Sequence, residues 1–189
     1  MTLFRHLAIP ELIEVVPPRY GDDRGFFSEV WKRSDFEAEG IHIDWIQDNH
    51  SRSAAAGTVR GLHFQAPPFA QAKLIRVLRG AILDVAVDIR TGSPSYGEWV
   101  ALTLSAEAGN QMFVPAGFAH GFMTLTPDCE VAYKVDMAYA PEHEAAIMWN
   151  DPAIGIDWPD LGTTPALSWK DAAAPGIAGF ASPFRYGEA

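Results

Sequence analysis

Between Asn49 and Leu83 the chain has no Asp or Glu, although it carries 24 acids in 189 residues. The same stretch holds His63, bracketed by Arg60 and Lys73, with Arg52, Arg76 and Arg79 nearby. Arg76 and Arg79 read as a solvated basic strand face. Arg60 and Lys73 differ, because they flank a histidine inside an otherwise apolar run. A guanidinium and an ammonium beside an imidazole suit a diphosphate or an oxyanion that develops during proton transfer. A second histidine, His120, reads equally well as an interior residue or as part of such a site. Tyr133 lies on the apolar face of a strand-like run and by pattern alone reads as core.

Spacing then narrows the chemistry. Gly109, Pro115, Gly117 and His120 fall at G-x5-P-x-G-x2-H, the second half of a cupin signature. The first half is altered. Gly57 is followed six residues later by His63, but Gln65 takes the second histidine position. Lys73 stands seven residues before Gly80, where a metal-binding cupin has glutamate. Two imidazoles beside an ammonium make a poor site for a divalent ion, so no metal is expected. His143-Glu144 begins like a zincin helix, but position 147 is Ile and the spacing fails.

The elements that must position these groups read as strands. Leu83, Val85, Val87 and Ile89 alternate between Ala81 and Arg90. Val131, Tyr133, Val135 and Met137 alternate between Glu130 and Met137. Leu74–Arg79, Glu98–Leu104, Gln111–Val114 and Gly121–Leu125 are further strand-like runs, separated by Gly80, Gly92-Ser93-Pro94, Gly109-Asn110 and Pro127-Asp128. Many short strands at close spacing predict a mainly β fold, an antiparallel sandwich or barrel, and the resemblance to the cupin signature implies a barrel or jelly roll of that type with short peripheral helices. One helix is expected after Ser34, with Ser34 capping and Glu37 closing a capping box. Length predicts one domain over 1–189, with a tail over about 152–189 wrapping the barrel and lending a residue to its mouth.

The net charge of −10 argues against nucleic-acid and anionic-membrane partners. A single cysteine, Cys129, excludes an internal disulfide. With no signal-like or membrane-length apolar stretch, a soluble cytoplasmic protein is expected.

Several ordered segments resemble the dTDP-4-dehydrorhamnose 3,5-epimerase family. They are Gly21 to Phe27, Gln47 to Ser51, Arg60 to Gln65, Gln71 to Lys73, Asp84 to Arg90, Pro115 to Phe122, Trp149 to Pro152 and Leu167 to Asp171. The resemblance implies epimerisation of dTDP-4-keto-6-deoxy-D-glucose at C3 and C5, both acidified by the C4 ketone, without cofactor or metal. It implies His63 as base, Asp171 as its partner, Lys73 as enolate stabiliser and Tyr133 as acid. It implies Arg24, Glu29, Gln47, Asn49, Arg60, His120, Tyr139 and Lys170 as substrate-binding residues. It further implies a homodimer, with an N-terminal arm over about 1–30 crossing the interface. Rival readings are an epimerase acting at one carbon, a metal-dependent cupin and a non-catalytic sugar-binding cupin.

Overall fold

The computed structural model describes residues 1–187. Its strands run in order β1 (Leu3–His6), β2 (Ile13–Val16), β3 (Tyr20–Asp22), β4 (Gly25–Phe27), β5 (Gln47–Ser53), β6 (Val59–Gln65), β7 (Lys73–Arg79), β8 (Ala81–Asp88), β9 (Trp99–Ser105), β10 (Gln111–Val114), β11 (Phe118–Thr124), β12 (Cys129–Val135) and β13 (Glu144–Ala146). Helix α1 (Arg33–Ala38) precedes β5, and α2 (Trp169–Ala172) lies in the C-terminal segment.

Two antiparallel sheets face each other. One has the order β1-β2-β10-β7-β12-β5 and the other β13-β6-β11-β8-β9, while β3 and β4 form a separate hairpin. From β5 onward the chain changes sheet at nearly every connection, which is the jelly-roll path of a cupin-type fold. Between the sheets lie Leu12, Ile75, Val77, Met112 and Val131 from one side, with Ile82, Ala86, Leu104, Phe118 and Phe122 from the other. Tyr133 packs at the edge of this core.

The strongest alternation in the sequence turns out to point outward. Val85, Val87 and Ile89 join Leu62, Phe64 and Ala119 in a second core, covered by Ile154, Ile177, Phe180 and Phe184 of the C-terminal segment. The inner face of β8 carries Ile82 and Ala86, with Asp84 between them. Because both faces are covered, every residue of β11 is buried, and the strand begins at Phe118 rather than at Gly121.

Helix α1 also corrects the sequence reading. Its N-cap is Lys32, with no side-chain capping bond, and Ser34 lies inside the helix. The entry is set instead by Trp31 packing on Phe36, ring centroids 6.4 Å apart, in the positions of a hydrophobic staple.

Strands β6 and β11 approach closely where Gly61 meets Gly121, and the register shifts between His120 and Phe122. A Cβ on Gly121 would lie 2.7 Å from the Arg60 carbonyl oxygen, and one on Gly61 would lie 2.5 Å from the Gly121 Cα. Two backbones in contact cannot yield as side chains can. Gly121→Ala should therefore destabilise the fold by about 1–3 kcal/mol, read from the denaturant midpoint.

Candidate active site

His63 on β6 and His120 on β11 are direct cross-strand neighbours. Each imidazole Nε2 meets a buried carboxylate: His63 bonds Asp171 Oδ1 at 2.5 Å and His120 bonds Asp84 Oδ1 at 2.8 Å. With Nε2–H donated to Asp171, the neutral His63 ring keeps its lone pair on Nδ1, which becomes the basic atom. Asp171 is itself fixed by its own helix. Ser168, the N-cap of α2, accepts from the Asp171 N–H at 3.1 Å and donates to Asp171 Oδ2 at 2.7 Å. Burial works to raise the Asp171 pKa, but the bonds from His63 and Ser168 prevail and hold it below the ordinary value.

The opposite sheet supplies Lys73 on β7 and Tyr133 on β12, two positions apart in the β7–β12 register. Burial pushes the Lys73 pKa down to about 8, against the charges of Asp84 and Glu144. Burial also raises the Tyr133 pKa, and the Arg60 charge partly counters it. These groups line a cavity of about 280 Å³ with Arg60, His120, Lys170 and Asp171. A neighbouring lobe of about 270 Å³ shares His63, Lys73, Tyr133 and Glu144, and adds Gln47, Asn49, Gln71 and Tyr139.

Such a cavity can invert a carbon. A base on one sheet and an acid on the other meet opposite faces of whatever lies between them, with a cation beside them for negative charge. Among the described residues, no group of three or more His, Cys, Asp or Glu side chains is arranged to hold a metal.

The sequence profile of dTDP-4-dehydrorhamnose 3,5-epimerases matches residues 6–179. A dTDP-4-dehydrorhamnose 3,5-epimerase of Sinorhizobium fredii is 51% identical over 183 residues, which is 97% of this chain and 93% of that protein. The chain belongs to this epimerase family. It is an isomerase, and its likeness to solved relatives extends through the whole fold. The crystal structure of the Legionella pneumophila 3,5-epimerase in complex with dTDP-4-keto-L-rhamnose superposes with a TM-score of 0.94 at 43% identity, covering 100% of both chains. The Streptomyces bikiniensis 3'-monoepimerase ChmJ, in complex with dTDP-quinovose, gives 0.85 at 35% identity, covering 91% of this chain and 86% of that one.

Within this epimerase fold, ten of the twelve site residues read from the sequence line the two lobes: His63, Asp171, Tyr133, Lys73, Gln47, Asn49, Arg60, His120, Tyr139 and Lys170. Arg24 and Glu29 lie outside both. Arg24 sits at the tip of the β3–β4 hairpin, exposed and paired with Asp22. No helix among the described residues is long and apolar enough to cross a membrane.

Sequence reasoning missed Glu144, Asp84 and Ser168. Glu144 lines both lobes, and its Oε2 accepts from Tyr139 Oη at 3.0 Å and from Lys170 Nζ at 3.2 Å. That carboxylate raises the pKa of both partners. The dismissed His143-Glu144 pair held this signal, since a failed zinc motif left an acid near the sheet edge without a task. Asp84 stood inside a family motif, at the start of an alternating apolar run.

With a pKa near 8, Lys73 is a full cation below that pH and loses its charge above it. The epimerase's kcat/KM should fall as pH rises through about 8. In Lys73→Arg that alkaline limb should move beyond pH 10, because a guanidinium stays charged. A pH profile of kcat/KM for both proteins checks this.

Proposed function

We propose that the enzyme converts dTDP-4-keto-6-deoxy-D-glucose to dTDP-4-keto-L-rhamnose by successive inversion at C5 and C3. His63 Nδ1 removes the proton next to the C4 ketone, and the electron pair moves onto O4. The Lys73 ammonium holds the enolate oxygen. Tyr133 then gives its phenolic proton to the opposite face of the carbon. The imidazolium, steadied by Asp171, returns its proton to solvent, and Tyr133 regains one before the second centre reacts. General base catalysis of this kind contributes roughly 10²–10⁴-fold, and an oxyanion partner a comparable amount. The observation that carries the reading is the division of labour between sheets, with His63 on one, and Tyr133 and Lys73 on the other.

The second lobe takes the nucleotide. Tyr139 offers a ring face for thymine, with Gln47 and Asn49 beside it, while Arg60 and Lys170 neutralise the diphosphate. His120, braced by Asp84, positions the sugar. Identity of 51% to a 3,5-epimerase, against 35% to the monoepimerase, favours two centres over one. A metal-dependent cupin is disfavoured by chemistry on the page. Gln65, at the would-be ligand position, has both polar atoms bonded to backbone, and an ammonium replaces the acid.

In this reading 1–189 is one cupin-like unit, works in the cytoplasm and forms a homodimer. The β3–β4 hairpin exposes Tyr20, Phe26 and Phe27 at 58%, 63% and 65%. That much exposed aromatic surface suits a segment that docks on another chain. The arm over about 1–30 thereby carries Arg24 and Glu29 to the partner's nucleotide lobe. Light scattering should give twice 20.7 kDa. Arg24→Ala should weaken dTDP binding about tenfold, read by calorimetry, without changing that mass.

The test is NMR of the proposed substrate in D2O with chelator-treated enzyme. Deuterium at both C3 and C5 supports the mechanism. Exchange at one carbon demotes the enzyme to a monoepimerase, and no exchange rejects the substrate. Tyr133→Phe should keep exchange on the His63 face while product formation drops by about 10² or more.

A further inference from the structure

Gln65 follows His63 by two residues on β6 and is buried, with 4% of its surface exposed. Its carboxamide is saturated by main chain from two separate segments. Nε2 donates to the Phe69 carbonyl at 2.8 Å and to the Ala138 carbonyl at 3.2 Å. Oε1 accepts from the Ala140 N–H at 2.8 Å. The last two contacts bracket Tyr139, taking the carbonyl before it and the N–H after it. One residue of a parallel neighbouring strand would offer the same donor and acceptor, so a side chain here takes the place of a strand.

Two more side chains tie the same segments together. Gln71 Nε2 donates to the Met137 carbonyl at 2.7 Å, and Asp136 Oδ1 accepts from the Ala72 N–H at 2.8 Å, next to Lys73. No regular strand pairing covers Met137–Ala140. The segment is irregular backbone that side-chain amides and a carboxylate hold in place.

We infer that Gln65 is a positioning residue for nucleotide recognition, fixing Tyr139 against the second lobe through the peptide groups on either side of it. This rests on the reading of Tyr139 as a nucleotide-binding residue. Only a side chain with both donors and an acceptor serves. A carboxylate lacks the donors and would set negative oxygen against the carbonyls of Phe69 and Ala138, and an apolar side chain would leave the buried Ala140 N–H and two partly buried carbonyls without this partner. The reacting groups are held by other contacts: His63 is oriented by Asp171, and Lys73 and Tyr133 are carried by paired strands. Loss of Gln65 is therefore felt in binding before it is felt in turnover.

The experiment compares the full-length enzyme with Gln65→Met, Gln65→Glu, Tyr139→Ala and the Gln65→Met/Tyr139→Ala double variant. Calorimetry with dTDP gives the dissociation constant, and turnover of the 4-keto sugar gives KM and kcat separately. Gln65→Met should raise the dTDP dissociation constant and KM about tenfold, with kcat within about twofold. Gln65→Glu, which keeps the shape but not the donors, should shift both in the same direction, and the denaturant midpoint of each variant shows that it is folded. In the Tyr139→Ala background, Gln65→Met should add less than about twofold, since the residue it positions is gone. If Tyr139→Ala weakens dTDP binding but neither Gln65 variant does, or if the two losses multiply, the positioning role is wrong. A fall in kcat with unchanged dTDP affinity likewise overturns it and leaves Gln65 a structural residue. If Tyr139→Ala leaves dTDP affinity intact, the nucleotide reading of Tyr139 fails first, and this inference falls with it.

Discussion

Lys73 enters the space between the sheets at a place where burial lowers its pKa to about 8 even with the charges of Asp84 and Glu144 opposing the shift. An ammonium there, without company, would cost several kcal/mol. The surrounding residues meet that cost in a way that orders the rest of the site. Asp84 and Glu144 are the carboxylates whose charge acts on Lys73. Asp84 is fully buried and spends one oxygen on His120, while its other oxygen finds no hydrogen bond among the described residues. Glu144 spends its charge on Tyr139 and Lys170. Each acid that accompanies the cation thus also fixes a substrate-facing side chain.

The jelly roll suits stereochemical inversion for a geometric reason. Facing sheets pack roughly 10 Å apart, enough for a sugar ring with side chains above and below. A ring lodged there shows one face to β6 and the other to β7 and β12. A metal cupin gathers its ligands around one point and polarises the substrate from there. In this chain the ligand positions have been put to other uses: Gln65 braces backbone and Lys73 supplies the positive charge. In the proposed mechanism the fold is kept while an ammonium takes the place of a Lewis acid.

How far the sequence revealed this depends on what each strand faces. β12 was legible by alternation, and β7 and β10 as short apolar runs bounded by turn residues. β5 was not, although its burial alternates, because its residues Gln47 to Ser53 are all polar. A strand that lines a polar cavity loses the signal by which strands are found. β8 misled in the opposite sense: its visible apolar face packs outward, and the functional Asp84 sits on the face that alternation made look secondary. Motif resemblance named most of the residues that line the two lobes because it does not depend on hydrophobic pattern. It missed Ser168 and Glu144, whose work is to hold other site residues. The helix cap was misread because a Ser near a helix start is a local cue, whereas the Trp31–Phe36 contact comes from tertiary packing.

The outward face of β8 explains how His63, the proposed base, can depend on a residue 108 positions away in the chain. Asp171 belongs to a four-residue helix, too short to persist by its own hydrogen bonds. Its place is set by what flanks it. On one side Ala166 bridges to Thr58 just ahead of β6, and on the other Ile177, Phe180 and Phe184 cover Val85, Val87 and Ala119. Full burial of an apolar side chain of this size contributes roughly 1.5–3 kcal/mol. Phe184 is buried and Ile177 and Phe180 partly so, and their burial offsets part of the cost of about 1–2 kcal/mol for ordering each residue of the helix's single turn. The apolar stripe that is most conspicuous in the sequence therefore touches no substrate-facing group, yet it holds the tail that orients His63. Precision at the imidazole is maintained from the far side of the sheet.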